Sequence, residues 1–300
     1  MKFLTKAIAR MNKIAPERLL LLGGGLLLLG LGMWIYLIWP RPLQVITFAV
    51  GRGDACVIIS PTGHALLIDG GSKDLPDVGA KTLVPNIMLL GVKEIDAILL
   101  SDANPEQVNG LPAIMESLPV KMILDAGKPS DDAEYQQIFA IAAIKGIPHQ
   151  RVCAGDRIHL DAGVTLAVLA PDGSPHIDAS AATGTSTVVS LLQYRQARML
   201  FTGALAADGE QTLLAQHLDL HADVLKVAHY GSNYGTTDAL LDAVRPTLGL
   251  ISCPAHNAQY PHTATLARLR AHHVNICRTD VCGMIRLSSD GEGWKVDSTL

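Results

Sequence analysis

Residues 46–71 read ITFAVGRGDACVIISPTGHALLIDGG. Short runs rich in Ile, Val and Leu alternate there with two turns, Gly51-Arg52-Gly53-Asp54 and Pro61-Thr62-Gly63-His64. Runs of this length bounded by Gly, Pro and Asp read as strands, because glycine admits left-handed turn conformations and proline fixes φ. LQVITFAV (43–50), ACVIIS (55–60) and HALLID (64–69) are therefore expected as three successive strands.

Outward from this stretch the same punctuation continues. A helix is expected over 79–91, a buried strand over 94–101, a helix over 105–117 and a strand over 120–126. A helix over 133–146 follows, with Gly146 as its stop. The second half repeats the plan, with strands at 157–160, 164–171, 186–194 and 198–203 and a helix near 208–217. Strand 223–230, helix 236–244, strand 247–252 and helix 263–273 come next, and 274–280 with 282–289 are expected as a closing hairpin. Two β-rich halves with interspersed helices suit two packed sheets with helices outside, an αββα sandwich of the α/β (α+β) class. The pattern by itself supports mixed α and β.

Composition adds a membrane expectation. From Leu19 to Trp39 the chain carries no charge, and 21 residues at a helical rise span roughly 31 Å, enough for a hydrocarbon core. A cleaved leader would have a shorter apolar region and a small-residue cleavage site; here Trp34, Tyr36 and Trp39 suit an interfacial belt. Lys2, Lys6, Arg10, Lys13 and Arg18 precede the segment against Glu17 alone, so the N-terminus is expected in the cytoplasm and the rest outside. The expected organisation is a basic tail (1–18), a transmembrane helix (19–39) and a folded domain (43–297). Residues 19–300 carry 19 basic and 27 acidic residues, a balance of −8. Nucleic-acid binding through phosphates needs a basic surface, so it is not expected of this domain alone. Five cysteines have no zinc-ribbon spacing, and Cys277 with Cys282 would face each other across the closing hairpin.

Several segments in order resemble the metallo-β-lactamase domain of ComEC-type DNA-internalisation proteins. They are residues 46–71, LVPNIMLLGVKEIDAILLS (83–101), RVCAGDRIHL (151–160), MLFTG (199–203), ADVLKVAHYGS (222–232) and CRTDVCGMIRLSSDG (277–291). The resemblance implies a four-layer αββα sandwich, a bacterial inner membrane with the domain in the periplasm, and other membrane protein subunits as partners. It also implies a site that holds one or two divalent metals, zinc or manganese, in a Thr/Ser-His-x-x-x-Asp-His-type loop. This chain has Ser101-Asp102-Ala103-Asn104-Pro105-Glu106-Gln107 there. Asp102 stands for the first His, Asn104 for the second ligand, Glu106 for Asp and Gln107 for the last His. The bridging Asp of Thr-Gly-Asp is Ala204, and His-His-Gly-Ser is His229-Tyr230-Gly231-Ser232. Asp69 is kept as a supporting residue of the strand end.

A catalytic zinc site has three protein ligands and an open position. His229 alone keeps its type, so no bound metal is expected and the domain reads as a scaffold or accessory subunit. The alternative is a phosphodiesterase or nuclease linked to DNA uptake, with Asp102, Glu106 and His229 using zinc, manganese or magnesium. A third reading is an accessory that binds DNA strands without cutting them. His256, His262, His272 and His273 are not expected to form a joint site, and Ser186 and Ser232 lack a visible triad.

Overall fold

The computed structural model describes residues 16–38, 41–127, 130–173, 187–255, 257 and 259–297; in the first of these, side chains are described for 21 and 23–34 only. Helix α1 runs Pro16–Ile38. Its described Leu, Met and Trp side chains, Leu21 and Leu26 to Trp34, are all more than half exposed. Trp39 and the tail 1–15 lie outside the described residues, so the expected span of 19–39 is described only in part. Among the described residues no helix is long and apolar enough to cross a membrane. The chain divides into two compact units, Met1–Arg41 and Pro42–Leu300.

In the second unit the strands of the quoted stretch are β1 (Leu43–Thr47), β2 (Cys56–Ile59) and β3 (Ala65–Ile68), an antiparallel meander. A turn of π-helix at Gly79–Leu83 runs into α2 (Val84–Leu89). Then come β4 (Ala97–Leu99), α3 (Pro105–Val108), α4 (Leu111–Ser117), β5 (Ile123–Asp125), α5 (Ala133–Lys145) and β6 (His149–Arg151). The second half holds β7 (Arg157–Asp161), β8 (Val164–Ala170), β9 (Val189–Tyr194), β10 (Ala197–Phe201), α6 (Ala207–Ala215) and β11 (Val224–Lys226). It ends with α7 (Asp238–Val244), β12 (Leu248–Ile251), α8 (Thr263–Ala271), β13 (Asn275–Arg278), α9 (Thr279–Cys282), β14 (Ile285–Ser289) and β15 (Lys295–Asp297).

Two sheets result, ordered β15-β14-β1-β2-β3-β4-β5-β6 and β13-β12-β11-β10-β9-β8-β7. Side chains alternate across each strand, which sorts the apolar residues into three layers. Cys56 and Ile58 join Leu166, Leu192 and Phe201 between the sheets, whereas Val57 turns to the helical layer of Ile87, Leu111, Ile114 and Ile138. On the far side Leu200, Leu225 and Ile251 pack against Leu213, Leu241 and Leu269 of the outer helices. The molecule is therefore a helix–sheet–sheet–helix sandwich, as the sequence pattern and the resemblance imply. Each fully buried Leu or Ile contributes about 1.5–3 kcal/mol.

Three expectations need correction. The helix over 105–117 is two helices, because Gly110 packs on Gly70 (Gly110 N–H to Gly70 carbonyl, 2.9 Å) and Pro112 starts a new first turn. The closing hairpin does not form: β13 edges the second sheet, β14 pairs with β1 in the first, and α9 lies between them. Cys277 and Cys282 thus flank a single helical turn, and all five cysteines are free thiols. Strand β6, the sequence His149-Gln150-Arg151, carries no buried residue and gave no apolar signal.

Candidate functional site

Strand β3 ends at Ile68, and Asp69 turns into the left-handed region at φ 57°. The following glycine, Gly71, lies so close to the next loop that a Cβ there would meet the Gln107 and Val108 backbone at 2.6 Å. This contact seats the 101–107 loop on Asp69. The Asp69 carboxylate is buried and accepts from the Ser101 N–H (2.8 Å) and hydroxyl (2.6 Å). The Ser101 carbonyl accepts from the Thr187 hydroxyl (3.1 Å), which in turn accepts from the Ala204 N–H (3.1 Å). Gly203 is left-handed at φ 52°, and its carbonyl accepts from the His229 N–H (3.0 Å). Loops that follow β4, β10 and β11 therefore converge, as in a sandwich whose site lies at the strand ends.

His229, Tyr230 and Gly231 are left-handed in succession (φ 48°, 60° and 76°), a local arrangement that costs energy for the two non-glycine residues. His229 stands between two depressions. One, of about 560 Å³, is lined by Ala204, Leu205, Ala206, Ala207, Asp208 and Tyr234. The other, of about 490 Å³, is lined by Ser72, Lys73, Asn104, Pro105, Glu106 and Asn109. Asn104 and Glu106 thus share a cleft with His229. Asp102 instead borders a separate small void with Asp125 and Tyr135, and its carboxylate accepts from the Ala103 N–H (2.7 Å).

The occupants of the expected ligand positions are engaged elsewhere. Glu106 forms an ion pair with Arg52 (Nε to Oε2, 3.7 Å). Burial first, then the Glu106, Asp54 and Asp69 carboxylates, hold the Tyr230 phenol far above the ordinary range. Gln107 is buried and donates to Ser101 Oγ (3.4 Å). Ala204 is buried and brings no polar side-chain atom. The Gln107 side-chain oxygen Oε1 and His229 Nδ1 are buried without hydrogen-bond partners. Among the described residues no three of His, Cys, Asp and Glu converge as metal ligands do. One imidazole, one carboxylate already facing a guanidinium, and two amides do not match the donor set that zinc or manganese takes.

Two cations of this region make contacts that sequence reading did not give. Arg52, in the first Gly-x-Gly turn, supplies a cation beside Glu106. Lys226 reaches Asp54 at 2.5 Å, with side chains 4% and 13% exposed, and so joins the two halves of the sandwich. The Ser252 hydroxyl adds a second link to the Gly53 carbonyl (2.9 Å). Nothing local in the chain announces either partner, since they lie far apart in sequence. The C-terminal histidines are dispersed: His262 Nδ1 accepts from the Ala264 N–H (3.2 Å) as a helix cap, and His272 pairs with Asp238 (2.9 Å). Ser232 Oγ accepts only from the Tyr234 N–H (3.3 Å), while His256 and Ser186 lie outside the described residues.

Burial, then the nearby Asp54 carboxylate, push Asp69 well above the ordinary carboxylate range. A carboxyl whose folded pKa is raised gives stability that is fully present below its unfolded value, about 3.9, and lost as pH rises through the folded value. Asp69→Asn cannot titrate. Its stability deficit against the parent should therefore be larger at pH 4 than at pH 8 in urea unfolding. A deficit that grows with rising pH would contradict this charge assignment.

Residues 50–256 match the family described as the metallo-beta-lactamase superfamily, and the chain belongs to that superfamily. Among curated proteins it is similar to ComE operon protein 3 of Bacillus subtilis, 25% identical over 269 residues, covering 85% of this chain and 34% of that protein. It is also similar to competence protein ComA of Neisseria gonorrhoeae, 28% identical over 295 residues, covering 94% of this chain and 39% of that protein. The chain therefore spans about a third of the length of these relatives. The zinc-bound PqqB of Methylobacterium extorquens shares the fold at a TM-score of 0.51 and 14% identity, over 78% of this chain and 97% of that one.

Proposed function

We propose that this chain is a membrane-anchored, non-catalytic metallo-β-lactamase-like domain that serves as a scaffold or accessory subunit of a membrane protein complex. The observation that carries the reading is the pairing of Glu106 with Arg52. The guanidinium there supplies the positive charge that a metal would bring, and it repels a second cation. The methyl of Ala204 where the resemblance implies a bridging carboxylate, and the two amides, Asn104 and Gln107, point the same way. Asp102 borders a different void from Glu106, which also disfavours a rebuilt acidic site for magnesium or calcium. Asp69 holds Ser101, and Gly71 packs on the backbone of Gln107 and Val108, through contacts of the protein itself.

Anchoring is supported by the uncharged run 19–39 and by the exposure of the Leu-rich face of α1. The periplasmic orientation rests on the basic tail, and the complex rests on similarity to much longer competence proteins. The full chain should stay with the membrane pellet in alkaline carbonate, while a chain beginning at Pro42 should be released. Release of both would remove the anchor from the account.

The test of non-catalysis is turnover. With zinc, manganese or magnesium added, the full chain in detergent should hydrolyse bis-p-nitrophenyl phosphate and single-stranded DNA no faster than its His229→Ala variant. Metal-dependent turnover that disappears in His229→Ala would establish the second reading, a phosphodiesterase linked to DNA uptake. That reading is favoured by one feature, the partnerless Nδ1 of His229 at the cleft.

A further inference from the structure

Given the anchor proposed above, on which this step rests, we infer that the end of the folded domain opposite the cleft lies on the lipid surface. Leu89 and Ile144 reach into the headgroup layer there.

Strand register fixes which residues share that end. Strands β3, β4, β5 and β6 run parallel, so Ala65, Ala97, Ile123 and His149 start together, and Asp69 and Ser101 leave at the cleft end. Strand β2 opposes β3 and β1 opposes β2, with Ile59 opposite Ala65 and Gln44 opposite Ile59. Leu43 therefore begins β1 at the end away from the cleft. The second sheet is oriented alike. The loops that follow β10 and β11 meet at the cleft, and the two strands are parallel, so both start at the far end. Thr62 of the β2–β3 turn donates to Asp161 at the end of β7 (2.6 Å), which joins the sheets there.

The sequence tethers this same end. The uncharged run closes at Trp39, and Leu43 follows four residues later. Four extended residues reach at most about 14 Å, so an anchored run keeps the start of β1 near the bilayer, with the cleft at the other end of the strands.

Exposed apolar side chains gather on the tethered end. Helices α2, α4 and α5 run back from the cleft end to the starts of β4, β5 and β6, so their last turns lie here. Leu89 is 79% exposed and Ile144 85%, and Met88 and Leu218, each in or beyond such a returning helix, are exposed too. Lys145 donates to the Met115 carbonyl (2.6 Å), so its charge folds back on α4 while Ile144 stays uncovered. A depression of about 440 Å³ opens beside it, lined by Leu118, Pro119, Val120 and Ile147 among others. At the cleft end the large apolar side chains exposed among the described residues are Tyr234, which lines the cleft, and Val281 on α9. Single exposed apolar residues carry no meaning, but bulky ones on neighbouring helix ends beside a membrane tether mark an interfacial contact. Lys121 at this end is paired with Glu94 (2.6 Å) and Asp96 (2.8 Å). The contact is therefore apolar burial rather than attraction to anionic lipid.

The full chain is reconstituted in phosphatidylcholine vesicles with the photo-crosslinking residue p-benzoylphenylalanine at Leu28, Leu89, Ile144 or Val281. After irradiation, lipid adducts are read by mass spectrometry. Adducts are expected at Leu28, Leu89 and Ile144, with background at Val281. Leu28 reports the anchor, while Leu89 and Ile144 report the surface, so the two readings fail separately. Adducts at Leu28 with background at Leu89 and Ile144 would leave the anchor standing and overturn the inference. Equal adducts at Val281, or crosslinks from Leu89 and Ile144 to protein instead of lipid, would also overturn it. Background at all four positions would remove the anchor and the inference together.

Discussion

Lys226→Ala should destabilise the domain by about 3–5 kcal/mol, the largest single-residue effect expected in this chain. The ammonium and the Asp54 carboxylate are nearly dry, and they meet at 2.5 Å between the first and second halves of the sandwich. Removing the amine leaves a buried carboxylate whose Oδ1 already has no hydrogen-bond partner. The loss comes from that stranded charge more than from the attraction itself, which mostly offsets the desolvation of both groups. Changing both residues, Asp54→Leu with Lys226→Met, should therefore recover most of the loss. In thermal unfolding the single variant should melt roughly 10 °C lower, at 2–4 °C per kcal/mol for a domain of this size. A loss below about 1 kcal/mol, typical of a solvated pair, would show that the ion pair does not hold the halves together.

The second large effect is a gain. Asp102→His, Asn104→His, Glu106→Asp, Gln107→His and Ala204→Asp together should create zinc binding with a Kd below about 1 μM, some 8 kcal/mol of binding free energy. The reason is geometric. The loop that follows β4 still rests on Asp69 through Ser101, and the loops of Ala204 and His229 still meet it through Thr187 and the Gly203 carbonyl. Asn104, Glu106, Ala204 and His229 already border the two depressions, and the residue at 102 must turn from its separate void to join them. Arg52 should oppose the gain, because its guanidinium faces position 106. Adding Arg52→Gln should therefore tighten zinc further, read by competition with a chromogenic chelator. A five-residue variant that folds yet binds no zinc would mean that the loops have drifted from a metal-holding arrangement.

Much of the fold is legible in the chain because strands and turns are marked locally. Residues 46–71 give three strands as expected, and the helices over 133–146 and 236–244 end near their expected positions. Which layer each strand residue faces was not legible. Cys56-Val57-Ile58-Ile59 is apolar throughout, since both faces of that strand are covered, and alternation carries no polarity signal there. The false hairpin has a related cause. Helix α9 is four residues long, too short for helical periodicity to show, so 274–289 reads as two strands and a turn.

The site was legible as a set of positions and illegible as a set of contacts. Aligning the loop by its Ser and Gly residues located Asp102, Asn104, Glu106 and Gln107, and the structure brings Asn104 and Glu106 to His229. That Asp102 borders another void, and that Arg52 faces Glu106, depends on residues brought together from distant strands. The Asp54–Lys226 pair is the extreme case, since its two partners come from opposite halves of the chain.

The most direct test of the central claim is metal content. The full chain in detergent is loaded with zinc and manganese, desalted and measured by inductively coupled plasma mass spectrometry against protein concentration. The account predicts metal at background, with His229→Ala indistinguishable from the parent. One or two tightly held metals per chain, lost in His229→Ala, would contradict it and make the cleft a working metal centre.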